Sequence, residues 1–171
     1  MSQTEPQKGQ APSASAVEMN ELLLPTHANS LGNAFGGQIM AWVDICAAMA
    51  AQRHARRIVV TAAIDAVSFI APIRVGQLVN LQAKVNAVGR TSMEVGVRVE
   101  AEEPLTGERV HALDAYVTFV ALGPSGRPTG IPPLIMESAE DELRRAEAQV
   151  RREKRLELAE AHKRLRQDHR D

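Results

Sequence analysis

The chain has 171 residues, of which 44% are apolar, enough for one domain with a sizeable core and an appendage. Its formal net charge of -1 gives no overall pull toward nucleic acid or an anionic membrane. The single cysteine, Cys46, excludes an intrachain disulfide, the N-terminal "MSQTEPQKGQAPSASA" lacks the apolar run of a signal, and no stretch approaches the roughly 20 apolar residues that cross a bilayer; a cytoplasmic protein without membrane insertion is expected.

Residues 1–16 are rich in Pro, Ser, Gln and Ala and are expected to be a disordered tail. Residues 17–123 hold nearly all the apolar periodicity and are expected to form the domain. A short strand is predicted over "VEMNELLL". The following "NAFGGQIMAWVDICAAMAAQ" has no period of two and few β-branched residues, so it predicts a helix, buried because it is apolar all round. "RIVVTAAIDAVSFIAP" is β-branched and predicts a strand. "VNLQAKVNA" and "MEVGVRVEA" alternate strictly, Val79, Leu81, Ala83 and Val85 against Asn80, Gln82, Lys84 and Asn86 in the first, and predict half-buried antiparallel strands. "EEPLTGE" is a turn leading into the long strand "RVHALDAYVTFVAL". One strand, a buried helix and four further antiparallel strands make an α+β architecture, a curved sheet around a central helix, known as the hotdog fold. Residues 124–136 read as a Pro/Gly linker, and residues 137–171 as a charged helix. That helix is supported by acid-to-Arg pairs four apart: Glu140–Arg144, Asp141–Arg145, Glu147–Arg151 and Glu160–Arg164. Its apolar stripe of Leu143, Ala146, Val150, Leu158, Ala161 and Leu165 is thin, so solvation is its default state, with a coiled-coil contact between subunits as the alternative.

Asp44 is the only charged residue between Ile39 and Ala51, and its helical neighbours Met40, Ala41, Ala47 and Ala48 cannot pair with it. Such a carboxylate costs several kcal/mol unless it finds partners. Two readings stand: a structural acid bonded to distant backbone, or a general base made stronger by its apolar setting. Gly36 and Gly37 at the helix start either permit tight packing or offer free N–H groups to a developing oxyanion. Asn33 reads as a helix cap, and "GRTS" (Gly89, Arg90, Thr91, Ser92) as a hairpin. The five histidines show no metal-ligand spacing, and the chain has no phosphate loop, dinucleotide fingerprint or Ser-His-acid arrangement.

"HANSLGNAFGGQIMAWVD", together with "TAAIDAVSF" and "GRTSMEV", resembles the hotdog-fold acyl-CoA thioesterases, closest to the cytosolic acyl-CoA hydrolase group. The resemblance covers residues 17–122 and neither tail. It implies thioester hydrolysis of acyl-CoA to free acid and coenzyme A. Asp44 would be base or nucleophile, Asn29 rather than its rival Asn33 would position water, and the Gly37 N–H would polarise the carbonyl. It implies contacts to coenzyme A from Gly36, Asn33, Gly89, Arg90, Thr91 and Ser92. Arg74 in "APIRVGQ" is a weaker phosphate candidate, and Asp65, in the strand that follows the helix, reads as a structural acid near the site rather than a second base. The resemblance also implies a site shared across a homodimer, a trimer of dimers as the larger assembly, no metal and no cofactor beyond the coenzyme A of the substrate. A hotdog hydratase or dehydratase would put a histidine in the site, and a non-catalytic acyl-CoA sensor would lack the acid.

Overall fold

The computed structural model describes residues 8–168. Helix α1 (Pro12–Ser15) precedes β1 (Val17–Leu22); α2 (Gly36–Ala55) follows, then β2 (Ile58–Ile64), β3 (Leu78–Val88), β4 (Ser92–Glu102), β5 (Arg109–Leu122) and α3 (Ala139–Asp168). The strands form one antiparallel sheet in the order β1-β3-β4-β5-β2, which leaves β1 and β2 as its edges.

The period-two pattern decides which face of the sheet is which. Val79, Leu81, Ala83 and Val85 of β3, and Val95, Val97 and Val99 of β4, are buried against α2. Ile39, Val43, Ala47 and Ala50 meet them from the helix, recurring at spacings of three and four. The alanines on this face let the sheet approach closely. Helix α2 ends at Arg56, which adopts a left-handed backbone (φ 51°) and donates its N–H to the Gln52 carbonyl at 2.8 Å.

Four expectations need correction. The tail is ordered where it is described: α1 packs on α2 and β3, Pro12 and Ser15 are buried, and Arg53 Nη1 donates to the Ala16 carbonyl at 2.6 Å. Low apolar content did not prevent this, because small residues fill a narrow space; residues 1–7 of the expected tail lie outside the described residues. "RIVVTAAIDAVSFIAP" is a strand only to Ile64, since the register shifts between Thr61 and Ala63 and residues 65–73 continue as an irregular loop. Helix α2 is not buried all round: Ala41 and Ile45 on its far side are exposed. The linker is a strap on the core, with Ile131 and Pro132 buried and the Pro132 carbonyl 2.9 Å from His54 Nε2.

Helix α3 is solvated on its apolar stripe but docks its other side on the outer face of the sheet. Lys84 on β3 meets Asp141 at 2.6 Å, Glu94 on β4 meets Arg151 at 2.7 Å, and Asp65 just beyond β2 meets Arg155 at 2.8 Å. Of the expected pairs within the helix, Glu140–Arg144 forms at 2.6 Å and Glu147–Arg151 is long at 4.0 Å. Asp141 turns instead to Lys84, leaving Arg145 to pair with Glu142. No described helix is long and apolar enough to cross a membrane.

Candidate active site

Asp44 lies on the flank of α2 between the buried stripe and the open one, and it is half-buried. The carboxylate that has no partner within its own helix finds one across the gap to the sheet edge: Thr61 Oγ1 of β2 donates to Asp44 Oδ1 at 2.7 Å. Thr61 has no distinguishing mark in the sequence, because a threonine in a β-branched run reads as an ordinary strand residue. Only the pairing of β2 with β5, with its irregularity after Thr61, turns the hydroxyl toward α2. None of the described histidines bonds to Asp44; His27 packs edge-on against Trp42 and His54 serves the strap.

The segment before α2 is a compact loop. Asn29 Oδ1 accepts the N–H groups of Leu31 (3.0 Å) and Asn33 (3.2 Å), and the Asn29 N–H donates to the Asn33 carbonyl at 2.8 Å. The oxygen of the Asn29 amide is therefore committed to the loop, and its NH2 group remains the donor it can present outward. Asn33 does not cap α2. The N-cap is Phe35, which makes no side-chain cap bond, so Asn33 instead pins Asn29. With no side-chain cap, the N–H groups of Gly36 and Gly37 are not occupied by one. A Cβ on Gly37 would fall 2.6 Å from the ring of Phe35, an exposed side chain free to swing aside.

The loop and the segment after residue 65 are tied together. The Ala34 N–H donates to the Ile73 carbonyl at 2.7 Å, Val75 N–H donates to Gly32 at 3.1 Å, and Asn33 bridges to Arg74. Between them lies a cavity of about 340 Å3 lined by Asn33, Gly36, Ile39, Phe69, Ile70 and Pro72 among others. Arg74 is exposed at this end of the molecule. The hairpin Gly89–Ser92 is not brought there: it sits at the far end of β3, an 11-residue strand of roughly 35 Å. Its Arg90 and Thr91 carbonyls accept from Ile131 and Ala121. Within one chain, no hydrogen bond joins Asn29 to Asp44 among the described residues. Cys46 is buried, and burial pushes its thiol up to about 11, which leaves it a packing residue rather than a nucleophile. Among the described residues, no group of three potential metal ligands clusters.

Residues 31–108 match the Thioesterase superfamily. An uncharacterized acyl-CoA thioester hydrolase of Bacillus subtilis is 39% identical over 127 residues, 74% of this chain and 74% of the relative. The chain belongs to the hotdog-fold acyl-CoA thioesterases. Among solved members of these thioesterases, a hexameric acyl-CoA thioesterase superposes with a TM-score of 0.85 at 38% identity, over 89% of this chain and 97% of the other. An acyl-CoA hydrolase from Staphylococcus aureus, solved in complex with butyryl coenzyme A, coenzyme A and coenzyme A disulfide, superposes with a TM-score of 0.85 at 32% identity, over 91% of this chain and 95% of that one. The Staphylococcus enzyme was also solved as variants with an aspartate, an asparagine or a threonine replaced by alanine.

Proposed function

We propose that this thioesterase hydrolyses acyl-CoA to free acid and coenzyme A in a homo-oligomer whose smallest active unit is a dimer. The observation that carries the reading is Asp44, half-buried on the flank of α2 beside its open side and held there by Thr61. The aspartate, asparagine and threonine replaced in the Staphylococcus enzyme are the same residue types as Asp44, Asn29 and Thr61.

The dimer follows from what one chain leaves open. Ile45 is 51% exposed on α2, and Ile58, Val60 and Ile64 are exposed on the sheet edge beside it. An apolar edge strand next to an apolar helix face is a surface for a second copy. Asn29 of one subunit then serves Asp44 of the other, and three such dimers make the hexamer that solved relatives form. Asp44 acts as base or nucleophile. As base, it takes a proton from water positioned by the Asn29 amide while the water oxygen attacks the thioester carbonyl. The oxyanion is held by the Gly37 N–H at the start of α2. Collapse expels the coenzyme A thiolate, which receives the proton. As nucleophile, Asp44 attacks the thioester carbonyl and expels coenzyme A thiolate, leaving a mixed anhydride; water then hydrolyses it to free acid and the Asp44 carboxylate, and the proton released goes to the thiolate. Asn33 and Gly36 line the cavity beside Phe69, which takes the start of the acyl chain, and Arg74, exposed and bridged to Asn33, is offered to the phosphates. Gly89, Arg90, Thr91 and Ser92 reach coenzyme A only from another subunit. Water is the co-substrate, and the proposed route uses no metal or cofactor.

The test is release of coenzyme A thiol from acetyl- to palmitoyl-CoA. Asp44→Ala is expected to lose about 100- to 10,000-fold in kcat while keeping the wild-type circular dichroism. Thr61→Val, which removes one hydrogen bond to a charged group, is expected to lose on the order of tenfold or more. Wild-type protein that is folded and oligomeric yet releases no thiol from any chain length would sink the reading.

A further inference from the structure

Helix α3 is longer than the surface that supports it. Its ion pairs step across the outer face of the sheet from Lys84 on β3, through Glu94 on β4, to Asp65 beyond β2, and the last is made by Arg155. Because β2 is the sheet edge, the helix then continues past it. Every residue from Leu156 to Gln167 is exposed, a projection of roughly 18 Å at 1.5 Å per residue. A helix segment of this length without tertiary packing is marginal in water. Self-support is also thin: the expected Glu160–Arg164 pair is not formed, and the pair of Glu157 with Lys154 is a surface contact. The projection still carries Leu158, 58% exposed, and Leu165, 63% exposed, on one side, with Ala161 between them.

The order of residues suits an antiparallel pairing with itself. With Leu158 of one helix opposite Ala161 of the other, Leu165 falls opposite Lys154, whose aliphatic stem can cover it. Glu157 then flanks Arg164 of the second copy, and symmetry makes each of these contacts twice. The helix also leaves the sheet at the edge already assigned to the dimer. A second copy added there sends its own α3 back in the opposite direction.

We propose that the projecting end of α3 is an assembly helix, which pairs antiparallel with the same segment of a second copy and locks the dimer across the β2 edge. The inference rests on the dimer proposed above but not on its chemistry. The experiment measures subunit exchange between protomers carrying different N-terminal fluorophores, in full-length wild type, Glu157→Arg, Arg164→Glu and the double reversal, with hydrolysis followed in parallel. Each single reversal is expected to speed exchange by about tenfold, and the double reversal to restore the wild-type rate, with hydrolysis at saturating protein unchanged in all four. Glu157 and Arg164 are seven apart on one helix, so recovery cannot come from a pair within the chain. Identical exchange in all four proteins, or a double reversal no slower than the singles, would overturn the assembly helix while leaving the hydrolase reading standing. Absent hydrolysis with normal exchange behaviour would do the reverse.

Discussion

An acid among apolar neighbours is a question at the scale of one residue, and Asp44 and His54 answer it differently. Asp44 is half-buried on the flank of α2 and finds its partner in Thr61 across the gap to β2. His54, ten residues on, points into the core, its Nε2 on the Pro132 carbonyl and its Nδ1 buried without a partner. Burial holds its pKa below the ordinary 6.5. A proton at Nδ1 would find no acceptor, so the unfolded chain binds that proton more readily than the folded one. Stability is therefore full above about pH 6.5, falls as pH drops below it, and levels off once the lowered folded value is passed. His54→Gln, which keeps a donor for Pro132 and does not titrate, is expected to flatten that part of the acid limb. Denaturant midpoints between pH 7.5 and pH 5 measure it, and an unchanged slope would refute the assignment.

Among the elements, α3 depends on charges rather than on its apolar stripe. Glu94 is 6% exposed and receives Arg151 through Nη2 (2.7 Å) and Nε (3.1 Å), with Asn86 Nδ2 as a third donor at 3.2 Å. The same guanidinium lies 3.5 Å over the Tyr116 ring. Arg151→Ala would leave Glu94 buried with Asn86 alone, and a loss of about 3 kcal/mol is expected. Pairing it with Glu94→Gln is expected to recover much of that, because the stranded charge goes. Urea unfolding of the two variants distinguishes this from a solvated helix, for which Arg151→Ala would be silent. The helix itself was legible as a run of acid-to-Arg spacings, but Asp141 and Arg151 serve the sheet rather than their helical neighbours. No spacing rule could show this, since Lys84 and Glu94 are 57 residues from their partners in sequence.

The whole molecule is shaped by what one chain leaves uncovered. Helix α2 is apolar on both sides, yet the sheet covers only one of them, and β2 exposes Ile58, Val60 and Ile64 at an unpaired edge. Val60→Lys puts a charge on that edge. It is expected to lower the assembled mass in light scattering and abolish thiol release together, because the proposed site takes Asn29 and Asp44 from different copies. A monomer that kept full turnover would show the site to be complete in one chain.

The sequence alone determined the existence and order of the strands, the central helix and the family motif, because these rest on periods of two and three to four and on glycine and proline punctuation; it did not set the limits of the core, which take in α1 and the strap, nor the end of β2 at Ile64. It singled out Asp44 by the absence of any local partner, and Asn29 and Gly37 by resemblance. Tertiary structure decided what those residues touch: Thr61 on Asp44, the Asn29 oxygen turned into its own loop, and the Gly89–Ser92 hairpin at the far end of the molecule from Arg74. It also decided that the small residues of α1 and the strap close the core. Local pattern reports which side of an element is apolar. Only packing between elements distant in the chain reports which of those sides is covered, and by which residue.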